Sequence, residues 1–267
     1  MLDQAQNFSA IAAGAKPLLF VMPRLLPVML IMPVFNEEIV TGLVRNGLAV
    51  VIAAFVAPAI DPAQIADLPF LVWCLLAAKE ALIGIMLAGA MSAVLFAIQG
   101  VGYLIDFQTG SGNAAFFDPM GGHEGGPTSG FLNFVALALF VTAGGLQMVV
   151  QVFAQSYTWW PVGTLLPNFS EVLSTFILRQ TDAVFVWMVK LSAPVVIVLV
   201  LVDAGIGLVG RAVPQLNIFT FSQPLKSALA MLMMVLFLPL VYASLQDLLS
   251  PDSGMIALLR ALLQHGH

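Results

Sequence analysis

Charge is what this sequence has least of. Only 9% of its 267 residues are Asp, Glu, Lys or Arg, against about 25% in a soluble domain. With 60% hydrophobic residues and a mean hydropathy of +1.01, the deficit excludes a water-soluble globule and places the chain in the membrane class. Nine Lys and Arg against 14 Asp and Glu give a net charge of −5. That balance excludes the basic surface a nucleic acid needs, so no nucleic-acid partner is expected. A single cysteine, Cys74, excludes an internal disulfide and reads as a small core residue in an apolar run. Three histidines are too few for a metal site, and two of them, His265 and His267, lie at the end of the chain. The sequence has no HExxH helix and no GxxxxGK[ST] phosphate loop, and Gly110-Ser111-Gly112 lacks the spacing of a nucleophile elbow. Asp106 with Asp118 is the nearest approach to a catalytic pair, and each has an ordinary turn role open to it. No catalytic residue, metal or cofactor is therefore expected. The first ten residues hold Asp3 and neither Lys nor Arg, which is unlike the n-region of a cleavable signal.

What is present is a series of long apolar segments, and these predict an all-α, multi-helix, integral-membrane-type protein. Segment 11–35 carries Pro17, Pro23, Pro27 and Pro33. Prolines remove backbone donors and kink a helix, and lipid would leave the freed carbonyls unsatisfied, so protein should cover this segment. Segments 43–60 and 68–105 follow, the second too long for one straight span of about 20 residues. Within it Gly84, Ala88, Gly89, Ala90, Ser92 and Ala93 would let another helix approach closely. Segment 131–153 is free of charge, although Gly144–Gly145 should loosen its second half. Segment 154–182 is more polar and carries the Trp and Tyr of an interface belt. Segments 183–209 and 225–249 form a helical hairpin, and 250–267 reads as a short amphipathic tail.

Five charges fall inside apolar segments: Arg24, Lys79, Glu80, Lys190 and Asp203. Ionisable groups at such positions are functional candidates by default. Adjacent residues do not face each other on a helix, so Lys79 and Glu80 are expected to pair with other elements. One account is a small-solute or ion transporter that uses these groups as a relay. The other buries the helices against partner proteins that supply counter-charges, and the prolines favour it. The hairpin connection 210–226 holds Arg211 and Lys226 and no acid, which points it toward the cytoplasm.

Between the apolar segments lies Gln99–Gly130, QGVGYLIDFQTGSGNAAFFDPMGGHEGGPTSG. Each glycine disfavours helix by about 1 kcal/mol relative to Ala. A structureless insert longer than about 12–15 residues is usually functional or disordered.

Three stretches carry a family resemblance: Lys79-Glu80-Ala81-Leu82-Ile83-Gly84, Gly100 through Asp118-Pro119, and Arg211-Ala212-Val213-Pro214-Gln215-Leu216-Asn217-Ile218-Phe219. In this order, after Arg24, Pro27 and Pro33, they resemble the FliR/SctT family of the type III secretion export apparatus. Phe221–Lys226 and the short tail look more like the injectisome SctT branch than the flagellar FliR branch. The resemblance implies kinked helical hairpins assembled into a helical pore complex, with this chain as the structural channel subunit that closes the ring. It implies an SctR-like part over 1–182 that includes a lumen plug at 106–122, an SctS-like hairpin over 183–249 and a tail over 250–267. Asp106, Phe107, Gly110, Gly112, Phe116, Phe117 and Met120 would form the plug. Glycines allow it to move, and Phe and Met supply a dry constriction. Arg211, Pro214, Gln215, Asn217, Phe219 and Lys226 would meet an SctU/FlhB-type switch protein. Arg24, Lys79, Glu80, Lys190 and Asp203 would find partners at interfaces with SctR-type and SctS-type subunits. Needle or rod components and secreted unfolded proteins would pass through. The location implied is the bacterial inner membrane, with the assembled complex largely on its periplasmic side.

Overall fold

The computed structural model describes residues 18–37, 39–59, 69–111, 125–163, 169–213, 218–249 and 257. Every regular element among them is helical. The composition requires this, because in a dry environment a helix satisfies its backbone polar groups within its own segment. The elements are α1 (Leu18–Ile31), a 3-10 turn (Pro33–Phe35), α2 (Gly42–Val56) with a 3-10 extension (Ala57–Ala59), and α3 (Phe70–Thr109). They continue with α4 (Pro127–Thr142), α5 (Gly145–Trp159), α6 (Phe169–Ala212) and α7 (Ile218–Leu249). The amphipathic tail expected over 250–267 lies, apart from residue 257, outside the described residues.

Several prolines sit inside continuous helices. Helix α1 runs unbroken through Pro23 and Pro27 and stops ahead of Pro33, where Met32 is extended at φ −70° and ψ 126°. A residue that precedes proline is pushed out of the helical region. Helices α6 and α7 continue through Pro194, Pro224 and Pro239. Among the described residues, glycine cleanly breaks one apolar run. Gly144 takes φ 88°, a left-handed conformation that glycine adopts freely, and separates α4 from α5. The span read over 131–153 is therefore two helices. By contrast, α3 is a single helix of 40 residues, about 60 Å long at 1.5 Å per residue. Lys79–Glu80 does not interrupt it, because both charges are satisfied internally.

The chain forms two compact units. The first comprises the residues up to Ser92 together with Gly144–Gln180. Its core includes Phe20, Leu25, Met29, Ile83, Phe153 and Trp160, and Phe20 meets Trp73 edge-on at 5.9 Å between centroids. The second comprises Ala93–Ala143 and Thr181–Leu249. There α3, α4, α6 and α7 converge on an apolar void of about 10 Å³ lined by residues that include Ile98, Ile105, Leu132, Leu191, Met234 and Phe237. That is space for about one water, but the lining offers no polar partner to hold it.

Helices α3, α6 (from Leu173) and α7 (Ser222–Asp247) are long and apolar enough to cross a membrane. Helices α6 and α7 leave much of their apolar surface uncovered, including Val186, Ile197 and Leu201 on α6 and Met231, Leu232 and Leu236 on α7. An uncovered apolar surface of this extent belongs in lipid or against another protein.

Candidate functional site

Two polar clusters stand out in these apolar units. The first is built around Arg24, which α1 places in the core of the first unit with no solvent exposure. Its Nε donates to Glu80 Oε2 at 2.5 Å, Nη1 to Ser156 Oγ at 2.9 Å and Nη2 to the Trp160 carbonyl at 3.0 Å. Its guanidinium carbon lies 4.0 Å from the centroid of the Tyr157 ring, a cation–π stack. Lys79 Nζ contacts Glu80 Oε1 at 2.9 Å and donates to the Val162 carbonyl at 2.7 Å and to that of Pro161 at 3.3 Å. Two cations thus share one carboxylate, and the Ser156 hydroxyl and three backbone carbonyls accept further donors. The planar fork of Arg is what lets one side chain serve three acceptors. Gly84 makes the arrangement possible. A Cβ there would lie 2.2 Å from the Arg24 carbonyl oxygen, so only glycine admits this approach of α1 to α3.

This cluster corrects two expectations. Lys79 and Glu80, although adjacent, do pair with each other, because the long lysine stem brings Nζ to the neighbouring carboxylate. Arg24, Lys79 and Glu80 find their counter-charges within the chain rather than on another subunit. Asp203 also has an internal partner, Lys226, at 2.8 Å. Lys190 is exposed on α6, 6.0 Å from the Trp187 ring centroid. The sequence did not point to Ser156, Tyr157 or the carbonyls of Trp160 and Val162. The available signal was the crowding of Ser156, Tyr157, Trp159, Trp160 and Pro161 after an apolar helix, which reads equally well as an interface belt.

The second cluster lies in the second unit, where the glycine-rich insert leaves α3 and rejoins α4. Helix α4 begins at Pro127, the residue type suited to a first helical position, yet its N-cap is Gly126, which has no side chain to accept the first amides. Asp106, at the end of α3, supplies the missing acceptors. Its Oδ1 accepts from the Thr128 N–H at 3.1 Å and its Oδ2 from the Ser129 N–H at 2.8 Å. These are the second and third helical amides, the ones an N-cap side chain normally satisfies, and a carboxylate also suits the positive helix end. Ser111 Oγ donates to Asp106 Oδ1 at 2.9 Å. Glycine is required at two places. At Gly126 a Cβ would fall 2.5 Å from the Asp106 carboxyl carbon, and at Gly102 it would fall 2.4 Å from Ser129 Cα.

Of the residues assigned to the plug, Asp106 is thus buried and holds the two ends of the insert together. Gly110 ends α3 at φ 77°, the usual left-handed helix stop. Phe107 is 81% exposed. Gly112, Phe116, Phe117 and Met120 lie outside the described residues.

We expect Asp106→Ala to cost about 1–2 kcal/mol, the usual range for losing an N-cap. Asp106→Asn, which keeps one acceptor, should cost less. Thermal unfolding of the detergent-purified protein checks both. Equal melting of all three proteins would show that the cap contributes nothing.

The hairpin connection is shorter than the sequence suggested. Helix α7 begins at Ile218, so Lys226 lies inside a helix and donates to the Gln108 carbonyl at 2.9 Å besides pairing with Asp203. With its charge balanced, Lys226 is no longer a free basic group of that connection, and the charge argument for a cytoplasmic face rests on Arg211. Arg211 is exposed in the last turn of α6. Phe219 lies in the first turn of α7, and Pro214, Gln215 and Asn217 fall outside the described residues.

The fold and its polar clusters define an all-helical membrane protein whose buried polar side chains join helices together. The chain matches the family described as bacterial export proteins, family 1, over residues 16–251, and it belongs to that family, the FliR/SctT family. It is 28% identical over 226 residues to Yop proteins translocation protein T of Yersinia pestis, covering 83% of this chain and 87% of that protein. It is 31% identical over 235 residues to the flagellar biosynthetic protein FliR of Bacillus subtilis, covering 87% and 90%. Against the surface presentation of antigens protein SpaR of Salmonella typhimurium it is 32% identical over 218 residues, covering 80% of each. The chain is accordingly a component of a type III secretion or flagellar export apparatus.

Proposed function

We propose that this chain is a non-enzymatic channel subunit of an injectisome-type export gate, with the insert that begins at Asp106 serving as a plug in its lumen. The observation that carries this reading is the joint at Asp106. A buried carboxylate that caps the next helix across the chain ties the two ends of a long glycine-rich insert together. A fixed root would let the insert yield to a passing chain without disturbing the helices that carry it. In this reading the insert includes Gly112, Phe116, Phe117 and Met120, with Phe107 beside it, and the aromatic residues seal the pore against small solutes by keeping it dry.

The chain would close a ring of SctR-type and SctS-type subunits at the bacterial inner membrane, with the assembly largely on the periplasmic side. Residues 1–182 would correspond to the first kind of subunit and 183–249 to the second. The exposed Lys190, Arg211 and the uncovered faces of α6 and α7 suit contacts with these subunits and with an SctU/FlhB-type switch protein. Unfolded substrates, and needle or rod components, would pass through the lumen. Support for the membership comes from the family match and from relatives in secretion and flagellar systems alike. The relay needed by the transporter alternative gains no support, since Lys79 and Glu80 are held in a buried ion-pair cluster with Arg24.

Deleting residues 112–119 leaves Asp106, Gly110, Ser111 and Gly126 in place. The deleted complex, purified and placed in planar bilayers or liposomes, should pass small ions that the intact complex holds back. A complex that assembles normally and conducts no more than wild type would refute the plug.

A further inference from the structure

The C-terminal end of α3 is held from a second side, by the first turns of α7. Lys226 Nζ donates to the Gln108 carbonyl at 2.9 Å and pairs with Asp203 Oδ1 at 2.8 Å. Gln108 is one residue before the end of α3, so its carbonyl is one of those that find no amide partner within the helix. A lysine there satisfies the carbonyl and meets the negative end of the helix dipole. One turn earlier on α7, Gln223 lies against the turn that ends α3, since a Cβ on Gly110 would fall 2.9 Å from its Nε2. One side chain therefore joins three helices, α3, α6 and α7.

The two holds on this region differ in kind. The carboxylate of Asp106 is buried and takes two backbone amides and a hydroxyl. The Lys226–Asp203 pair is left partly uncovered by the chain, with side chains 12% and 43% exposed. Exposed ion pairs are weak and salt-sensitive, whereas a buried charge with its hydrogen bonds satisfied is costly to disturb.

We propose that Lys226 is a positioning residue that acts as a releasable clamp, fastening the end of α3 to the α6–α7 hairpin, while Asp106 is the permanent fastening to α4. Displacement of the hairpin frees the end of α3 beyond Asp106 and leaves the start of α4 capped. The clamp uses only groups on these helices and stands whether or not the insert is a plug.

Hydrogen exchange on the full-length protein within its purified complex tests the clamp. Lys226→Met keeps the length of the apolar stem and removes the charge and the donors. It should speed exchange of the amides of residues 106–110 about tenfold and leave those of Thr128 and Ser129 unchanged. Asp203→Asn should give a smaller acceleration, because Lys226 still reaches the Gln108 carbonyl. Raising the salt concentration should accelerate these amides in wild type and not in Lys226→Met. Lys226→Arg, which keeps charge and donors, should exchange like wild type. Unchanged exchange at 106–110 in Lys226→Met overturns the proposal. So does equal acceleration at Thr128 and Ser129, which would mean general loosening, and so does loss of protection in Lys226→Arg, which would mean packing alone.

Discussion

Glu80→Ala is expected to prevent the folded chain from accumulating in its complex. The substitution leaves Arg24 and Lys79 side by side in a dry core without their shared carboxylate. Removing one partner of a buried pair costs about 3–5 kcal/mol, against a total stability of about 5–15 kcal/mol for a typical domain. Here the penalty falls at the upper end, because two cations are stranded and repel each other. Glu80→Gln should be nearly as damaging, since it preserves shape and an acceptor but not the charge. Lys79→Met should be milder, because it leaves Arg24 and Glu80 as a neutral pair. This ordering separates charge balance from packing. Co-purification yield and thermal melting read it out, and a Glu80→Ala complex with wild-type yield and melting would show that the cluster is dispensable.

Gly84→Ala is expected to be the most damaging added methyl among the described glycines. The new Cβ would lie 2.2 Å from the Arg24 carbonyl oxygen and 3.0 Å from its carbon. Both are backbone atoms, so no rotamer relieves the clash and α1 must move away from α3. Overpacking a core costs typically about 1–3 kcal/mol, whereas alanine in place of helical glycine returns only about 1 kcal/mol. Displacing α1 also pulls Arg24 from Glu80, so the loss should exceed the packing cost alone. Gly47→Ala on α2 is the control, because nothing lies within 4 Å of the added methyl. It should be neutral or stabilising by about 1 kcal/mol. Melting of both variants in the same detergent checks the sign of each, and equal effects would refute the close approach.

The sequence made the class and the helices legible through scarcity of charge and length of apolar runs, signals that survive without knowledge of neighbours. It misplaced the joints. Lys79 and Glu80 read as reaching outward, because helical geometry forbids adjacent side chains from sharing a face but does not limit how far lysine can fold back. Pro23 and Pro27 read as kinks within a helix, and α1 is continuous through both. Gly144 read as loosening and in fact ends a helix, because a left-handed φ cannot be told from an ordinary helical glycine in the sequence. Asp106 was singled out, but its role was not: capping across 22 and 23 residues leaves no local pattern. The visible trace was negative, a Gly-Pro helix start with no acceptor of its own. Lys226 was counted as a charge of the 210–226 connection, whereas α7 already begins at Ile218.

The reach of Arg24 sets a timetable for synthesis. Glu80 follows it by 56 residues, Ser156 by 132 and Trp160 by 136. At about 5–20 residues per second, the last acceptor emerges on the order of ten seconds or more after the arginine. During that interval a guanidinium sits on an apolar helix with part of its acceptor set still unmade. Asp106, by contrast, is followed by the amides it caps after only 22 and 23 residues. The second unit can therefore close its α3–α4 joint as it is made, while the first must wait for α5 to return, and the nascent chain spends that wait with its first helix unable to bury itself.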